Sequence, residues 1–257
     1  MGNVLILSPH LDDAALSCGG FMSQAVANGE PMQVYTLFCA PYQGPLSPSA
    51  RELHASWGNP PDICTLRLQE DREALAVLGA QGLYGEVRDL IYRQDEQGKW
   101  LYEQMQAIQG QRHPQDNELV NYYMEDIMDQ WPREGWKVFA PLGIGAHIDH
   151  QIAFEIGMGL VKEGYEVAFY EDLPYALRED WLQARLADCE DLRPEVRLFS
   201  LESLNRKILA LRCYASQIPQ LFGGEDTMEE WLKGQAYKMS QEEALGGEKV
   251  WRSPNLK

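Results

Sequence analysis

The chain has 257 residues, 45% of them hydrophobic, enough to bury one large core. Its formal net charge is −17, from 22 Lys and Arg against 39 Asp and Glu, and no run of basic residues offsets that field. Such a charge repels nucleic acid and anionic membrane surfaces, and no apolar stretch is long enough for a secretory segment or a bilayer span.

In chain order, "NVLIL" reads as a buried strand and Asp12 to Ala27 as the helix after it. "QVYTLFC" (Gln33 to Cys39) is the next strand, rich in β-branched and aromatic residues. Residues 41–62 are dense in Pro, Gly and Ser and predict a long loop after a strand end. "LQEDREALAVLGA" has helical periodicity and stops at Gly79, and "VRDLIY" predicts a third strand. Residues 93–116 form a second long, polar excursion. Next come the amphipathic helix "NELVNYYMEDIMDQW", ended by Pro132, and the strand "KVFAPL". The helix "IDHQIAFEIGMGLVKEG" ends near Gly164, followed by the strands "EVAFYE" and "RLFS" and the helices "SLNRKILALRCYASQ" and "TMEEWLKGQAYKM". Strands alternate with helices without internal repeats. That pattern predicts a single α/β domain over residues 1–257, with a mostly parallel sheet covered on both faces. The five cysteines (Cys18, Cys39, Cys64, Cys189, Cys213) are scattered without a Cys-x-x-Cys pair. They predict reduced, packed thiols in a cytoplasmic protein.

The first strand runs straight into "SPHLDDAALSCGG", Ser8 to Gly20. An ordinary helix start with acidic residues near the dipole accounts for Asp12 and Asp13, but it does not call for His10. The chain has only five histidines, and two more share "GAHIDHQ", as His147 and His150, again between a strand and a helix. In open α/β sheets, ligands sit outside the carboxyl ends of the strands. Zinc takes imidazole nitrogen and carboxylate oxygen, and a catalytic site uses three protein ligands plus water. His10 and Asp13 are three apart, so one helical turn gives them a common face, while Asp12 points elsewhere and is free to take a proton. His147 and His150 are also three apart, so one can ligate while the other faces a substrate. Each motif alone is a common helix start. Two of them after two strands favour a metal site.

These motifs resemble those of the PIG-L, or LmbE-like, de-N-acetylase family. That family opens with Pro-His-Pro-Asp-Asp after a strand. Here the motif is "PHLDD", Pro9 to Asp13, with Leu11 in place of the second proline. Its later His-x-Asp-His is "HIDH", His147 to His150, and its Arg-x-x-Glu-Asp-x-x-Ala helix is similar to "RLQEDREALAVLG", Arg67 to Gly79. "YEDLPY" (Tyr170 to Tyr175) and "YASQ" (Tyr214 to Gln217) also resemble family segments. The resemblance implies a Rossmann-like fold and one Zn²⁺ per chain, other divalent metals being admissible, on His10, Asp13 and His150. It implies Asp12 as general base. His147 would stabilise the oxyanion or protonate the leaving amine, with Asp149 orienting it, and Arg67 would bind substrate. Some members carry a tyrosine two residues before His-x-Asp-His. Here that position is Gly145, so any tyrosine at the oxyanion must come from elsewhere. The implied substrate is an N-acetylated amino sugar or glycoconjugate, and the two long loops are expected to shape its pocket. Trp57 and Trp100 are candidates for stacking on a sugar ring or for loop packing.

Two rivals stand beside this reading. Two histidines and a carboxylate also make the facial triad of non-haem Fe(II) oxygenases, although those sit in β-rich barrels. A non-catalytic metal- or sugar-binding relative would not need both Asp12 and His147. Neither the particular substrate nor the oligomeric state is legible in the sequence.

Overall fold

The computed structural model describes residues 2–189, 191–240 and 245–253. The chain opens with strand β1 (Asn3–Ser8), helix α1 (Asp13–Ala27) and strand β2 (Met32–Phe38). Helices α2 (Pro48–Ser56) and α3 (Ile63–Leu78) and strand β3 (Gln81–Val87) follow. Helix α4 (Leu119–Gln130), strand β4 (Trp136–Pro141), helix α5 (Ile148–Lys162) and strand β5 (Glu166–Tyr170) make up the middle of the chain. The last part holds α6 (Glu179–Ala187), β6 (Arg193–Ser200), α7 (Leu201–Arg212), α8 (Ile218–Phe222), α9 (Glu225–Ser240) and β7 (Leu245–Arg252).

One seven-stranded sheet holds all the strands in the order β3-β2-β1-β4-β5-β7-β6. The first five are parallel, and β7 is antiparallel to both β5 and β6. Successive strand residues bury on opposite faces. Leu5 and Leu7 join Leu37, Val138 and Phe169 under α4 and α5. Val4 and Ile6 join Val34, Phe139 and Tyr170 under α1, α3, α7 and α9. With both faces covered, β1 is apolar from Val4 to Leu7 rather than alternating. From β1 the chain winds outward through β2 and β3, then returns to lay β4 on the other side of β1, with Ile6 opposite Phe139. The connections therefore diverge between β1 and β4, the place where doubly wound sheets open a crevice.

The structure corrects the sequence reading in several places. Residues 41–62 are not loop throughout. Ser47 accepts the Ala50 N–H at 2.9 Å and Pro48 opens α2, so a capped helix lies inside the Pro-rich stretch. "VRDLIY" is not a strand, since Leu90–Tyr92 is a 3₁₀ turn capped by Asp89. The real third strand, "QGLYGEV", is an edge strand paired only with β2, and its two glycines mask the signal. Strand β7, with Gly246 and Gly247, was hidden in the same way, and α6 lacks a strong apolar stripe. Among the described residues, no helix is long and apolar enough to cross a membrane.

Candidate metal centre

At the end of β1, one serine fixes the turn. Ser8 Oγ donates to the His10 carbonyl at 2.7 Å and accepts the Ala14 N–H at 3.1 Å. The His10 N–H in turn donates to Asp13 Oδ2 at 2.9 Å, which folds Asp13 back beside the imidazole. Asp12 is held at φ 112°, ψ −34°, a conformation that a non-glycine residue rarely adopts. This strain sits where the sequence placed the base.

The turn after β4 reaches the same spot. Gly143, Gly145 and Ala146 all have positive φ and turn the chain sharply into α5. His147 caps that helix, its Nδ1 accepting the Asp149 N–H at 3.3 Å. His150, one turn in, points Nε2 at Asp13 Oδ2, also at 3.3 Å. His10 Nδ1 lies 3.3 Å from the same oxygen. His10, His147 and His150 offer ligand nitrogens within 4.8 Å of one another. The structure thus gathers His10, Asp13, His147 and His150 in one cluster, with Asp12 at its side.

Both candidate imidazole ligands are backed by carboxylates. His150 Nδ1 is 2.6 Å from Asp172 Oδ1, and His10 Nε2 is 3.0 Å from Asp149 Oδ2. An ionised carboxylate only accepts, so each of these nitrogens carries the proton. The nitrogens left over, His10 Nδ1 and His150 Nε2, are the two that face Asp13 Oδ2. Two imidazole nitrogens and one carboxylate oxygen, buried and supported in this way, fit zinc. The Asp149 carboxylate departs from its expected place. Its hydrogen bonds go to His10, Arg93 and the Leu90 N–H, and only its backbone N–H meets the His147 ring.

Charge in the cluster follows from burial and from these pairs. Burial opposes ionisation of Asp13, but His150 and His10 hold its carboxyl well below the usual range. Burial pulls His150 down, yet Asp13 and Asp172 outweigh it and raise it to about 9. Burial, then His10 and His150, push His147 well below an ordinary histidine, so its ring is neutral. Because Nδ1 accepts from the backbone, the single proton of that ring is on Nε2. Burial pushes Asp12 up to about 7, against the pull of Arg67.

The pocket over the cluster holds about 140 Å³ and is lined by Asp12, Arg67, Asp89, His147, Tyr175 and Trp57, among others. Arg67 reaches the Leu11 carbonyl at 2.9 Å and Asp12 at 3.6 Å, and its guanidinium lies 4.7 Å over the Trp57 ring. Glu70 and Asp71 of the same helix are structural. They hold Ser216, Tyr84 and Tyr214, joining α3 to the "YASQ" segment. The two long loops diverge from expectation. The first contributes Leu53 and Trp57 to the pocket, whereas residues 93–116 contribute no lining residue. Trp100 pairs with Gln94 and packs on Tyr42, away from the cluster. A Cβ on Gly145, itself at φ 83°, would sit 3.1 Å from Tyr175 Cγ and 3.0 Å from the Trp181 ring. Tyr175 thus occupies the space beside that glycine, with its ring 5.7 Å from that of His150. The roles of Asp172, Asp89, Arg93 and Tyr175 were not read from sequence. Asp172 and Tyr175 lie in the quoted "YEDLPY" segment, after β5, where a strand-end carboxylate is a usable signal.

An Asp/His cluster at the crevice of a doubly wound sheet, with a further carboxyl and a neutral imidazole beside a candidate metal seat, has the group types of a metal-assisted hydrolase, and kinship makes this protein a hydrolytic N-deacetylase. The residue pattern of PIG-L, described as GlcNAc-PI de-N-acetylase, matches residues 5–161, and the chain belongs to that family. The later strands β5, β6 and β7 complete the same sheet. The chain is 27% identical to a 2'-N-acetylparomamine deacetylase of Niallia circulans over 240 residues, 86% of this chain and 82% of the relative. The zinc-inhibited form of teicoplanin deacetylase Orf2 superposes with a TM-score of 0.82 at 29% identity, covering 98% of this chain and 99% of that one. The A40926 pseudoaglycone deacetylase Dbv21 gives a TM-score of 0.76 at 28% identity, covering 100% and 98%.

Proposed function

We propose that this protein is a single-domain, zinc-dependent hydrolase that removes an N-acetyl group from an amino sugar or a glycoconjugate of one. The observation that carries the proposal is the meeting of His10 Nδ1 and His150 Nε2 at Asp13 Oδ2, each imidazole backed by its own carboxylate. His10, Asp13 and His150 would hold the zinc. When bound, zinc supplies Lewis acidity, polarising the acyl oxygen and easing deprotonation of the attacking water.

The remaining work falls to the chain's own groups. Asp12, raised to about 7, takes the proton of the attacking water and is well matched to return it to the leaving amine near neutral pH. His147, neutral and protonated on Nε2, donates to the acyl oxygen as negative charge grows there. This favours oxyanion stabilisation over amine protonation for His147. Arg67 steadies Asp12 and offers guanidinium donors to the sugar, and burial keeps the Tyr175 hydroxyl protonated as a second donor. Asp149 acts on His10 rather than on the ring of His147. At about 140 Å³ the pocket suits the acetamido end of a substrate rather than a whole glycoconjugate. The relatives are named as deacetylases of 2'-N-acetylparomamine, of teicoplanin and of the A40926 pseudoaglycone, which supports an N-acetylated substrate of this kind. Five free cysteines support a cytoplasmic setting. The doubly wound sheet and the kinship to deacetylases weigh against the Fe(II) oxygenase, and the intact Asp12 and His147 weigh against a non-catalytic binder.

Zinc content measured beside turnover on N-acetylated amino sugars tests the assignment. His147→Ala is expected to keep zinc and lose about 3–4 kcal/mol of transition-state stabilisation, a several-hundredfold fall in kcat. Asp12→Asn is expected to keep zinc and lose about a hundredfold or more. Zinc lost from His147→Ala would make that residue a ligand and move the donor elsewhere.

A further inference from the structure

Asp149 is fully buried, and a carboxylate so placed needs a fixed counter-charge. Arg93 supplies it. Its guanidinium donates to Asp149 Oδ1 and to Asp116 Oδ2, both at 2.7 Å, while its Nε donates to the Arg88 carbonyl at 2.9 Å. Tyr102 donates its hydroxyl to the same Asp116 oxygen at 2.7 Å. Arg93 and Asp116 are both buried, and the guanidinium lies 4.6 Å over the Phe38 ring, so the fork cannot swing away. The chain Tyr102–Asp116–Arg93–Asp149 ends on His10 Nε2. Residues 93 and 116 are also the two ends of the second long loop. That loop therefore closes on an ion pair behind the candidate metal seat.

We propose that Arg93 is a positioning residue for the metal, holding Asp149 against His10 so that His10 presents Nδ1 to the ion. The proposal rests on the reading of His10 as a ligand. Lysine carries the charge but not the planar fork, and it cannot serve Asp149, Asp116 and the Arg88 carbonyl together.

The test is zinc affinity of the full-length protein by chelator competition, with the visible spectrum of the cobalt(II) form as a second readout. Arg93→Gln is expected to weaken zinc binding by about 10- to 100-fold and to alter the cobalt bands, with partial recovery in Arg93→Lys. Asp116→Asn, which leaves Arg93 on Asp149, is expected to give a smaller loss in the same direction. A merely structural Arg93 would lower the unfolding temperature of the metal-free chain and leave affinity and cobalt bands unchanged in the folded fraction. That result overturns the proposal. If Arg93→Gln does not fold, the decision passes to Arg93→Lys and Asp116→Asn, and wild-type affinity in both overturns it. His10→Ala separates the two readings. If it keeps the metal, the ligand assignment fails. If it loses the metal while the Arg93 variants keep wild-type affinity, only this inference fails.

Discussion

The two imidazoles of the centre are supported by different means. His150 leans on Asp172, whose other oxygen accepts the backbone N–H groups of Gly143 and Ile144 at 2.8 and 3.2 Å. Those donors come with the turn and no side-chain truncation removes them. His10 leans on Asp149, which depends on the Arg93 side chain and, through it, on Asp116 and Tyr102 of the second long loop. Equivalent geometry thus rests on a backbone anchor on one side and a buried ion-pair chain on the other. The first is rigid by construction. The second places charge at risk, because removing one partner strands the other in the interior.

The largest expected effect ignores this difference. His10→Ala and His150→Ala should both lose zinc and measurable turnover, since each removes one of the three proposed ligands. Metal analysis of the purified variants beside an acetate-release assay checks this, and retention of stoichiometric zinc in either one would break the equivalence.

Next come the two backing carboxylates, where the comparison sharpens. Asp149→Asn leaves Arg93 with one anion in place of two and should cost about 3 kcal/mol of stability in the metal-free protein. Asp172→Asn keeps its one oxygen on the two backbone donors and turns its amide N–H to His150 Nδ1, which accepts it when the ring is neutral, and should cost about 1 kcal/mol. Denaturant unfolding of both variants measures the gap. Equal losses would mean that the ion-pair chain is no more vulnerable than the backbone anchor.

The pH response is smaller and graded. In the metal-free chain His150 is raised to about 9, so near neutral pH it carries a proton that a metal must displace. Apparent zinc affinity should therefore rise as pH rises, and the His150 contribution should level off above about 9. Proton release on zinc binding, followed by calorimetry in buffers of different ionisation enthalpy, reads this directly. Zinc affinity that is flat between pH 6 and 9 would mean that His150 is already neutral.

The smallest effects distinguish the two long loops. Trp57 borders the pocket and donates Nε1–H to Gln220 at 2.7 Å, so Trp57→Ala should raise KM several-fold. Trp100→Ala should leave KM unchanged, because that ring packs on Tyr42. A matching KM change in both variants would return the second loop to the substrate side.

Much of the centre was legible because its residues come in two short motifs, each at a strand end that periodicity locates. Asp13 and His150 stand one helical turn from His10 and His147, and this local spacing survives folding. The resemblance set Asp149 on the neighbouring His147, whereas its carboxylate turns to His10, 139 residues away in sequence, a contact that no local spacing carries. Arg93 left no signal, being one arginine in an irregular stretch. The strand at Gln81–Val87 was missed because an edge strand with two glycines carries little of the hydrophobic run that marks a buried one.

The sequence by itself determined the α/β alternation, the two metal motifs and the residue types able to ligate or move a proton, because these follow from local period and side-chain chemistry. Only the tertiary structure decided that β1 lies directly beside β4, with Ile6 against Phe139, which brings two motifs more than 130 residues apart to one crevice. Backbone hydrogen bonding is the same for any pair of strands. The choice of neighbour is made by the packing of both faces under their helices, and no local segment contains it.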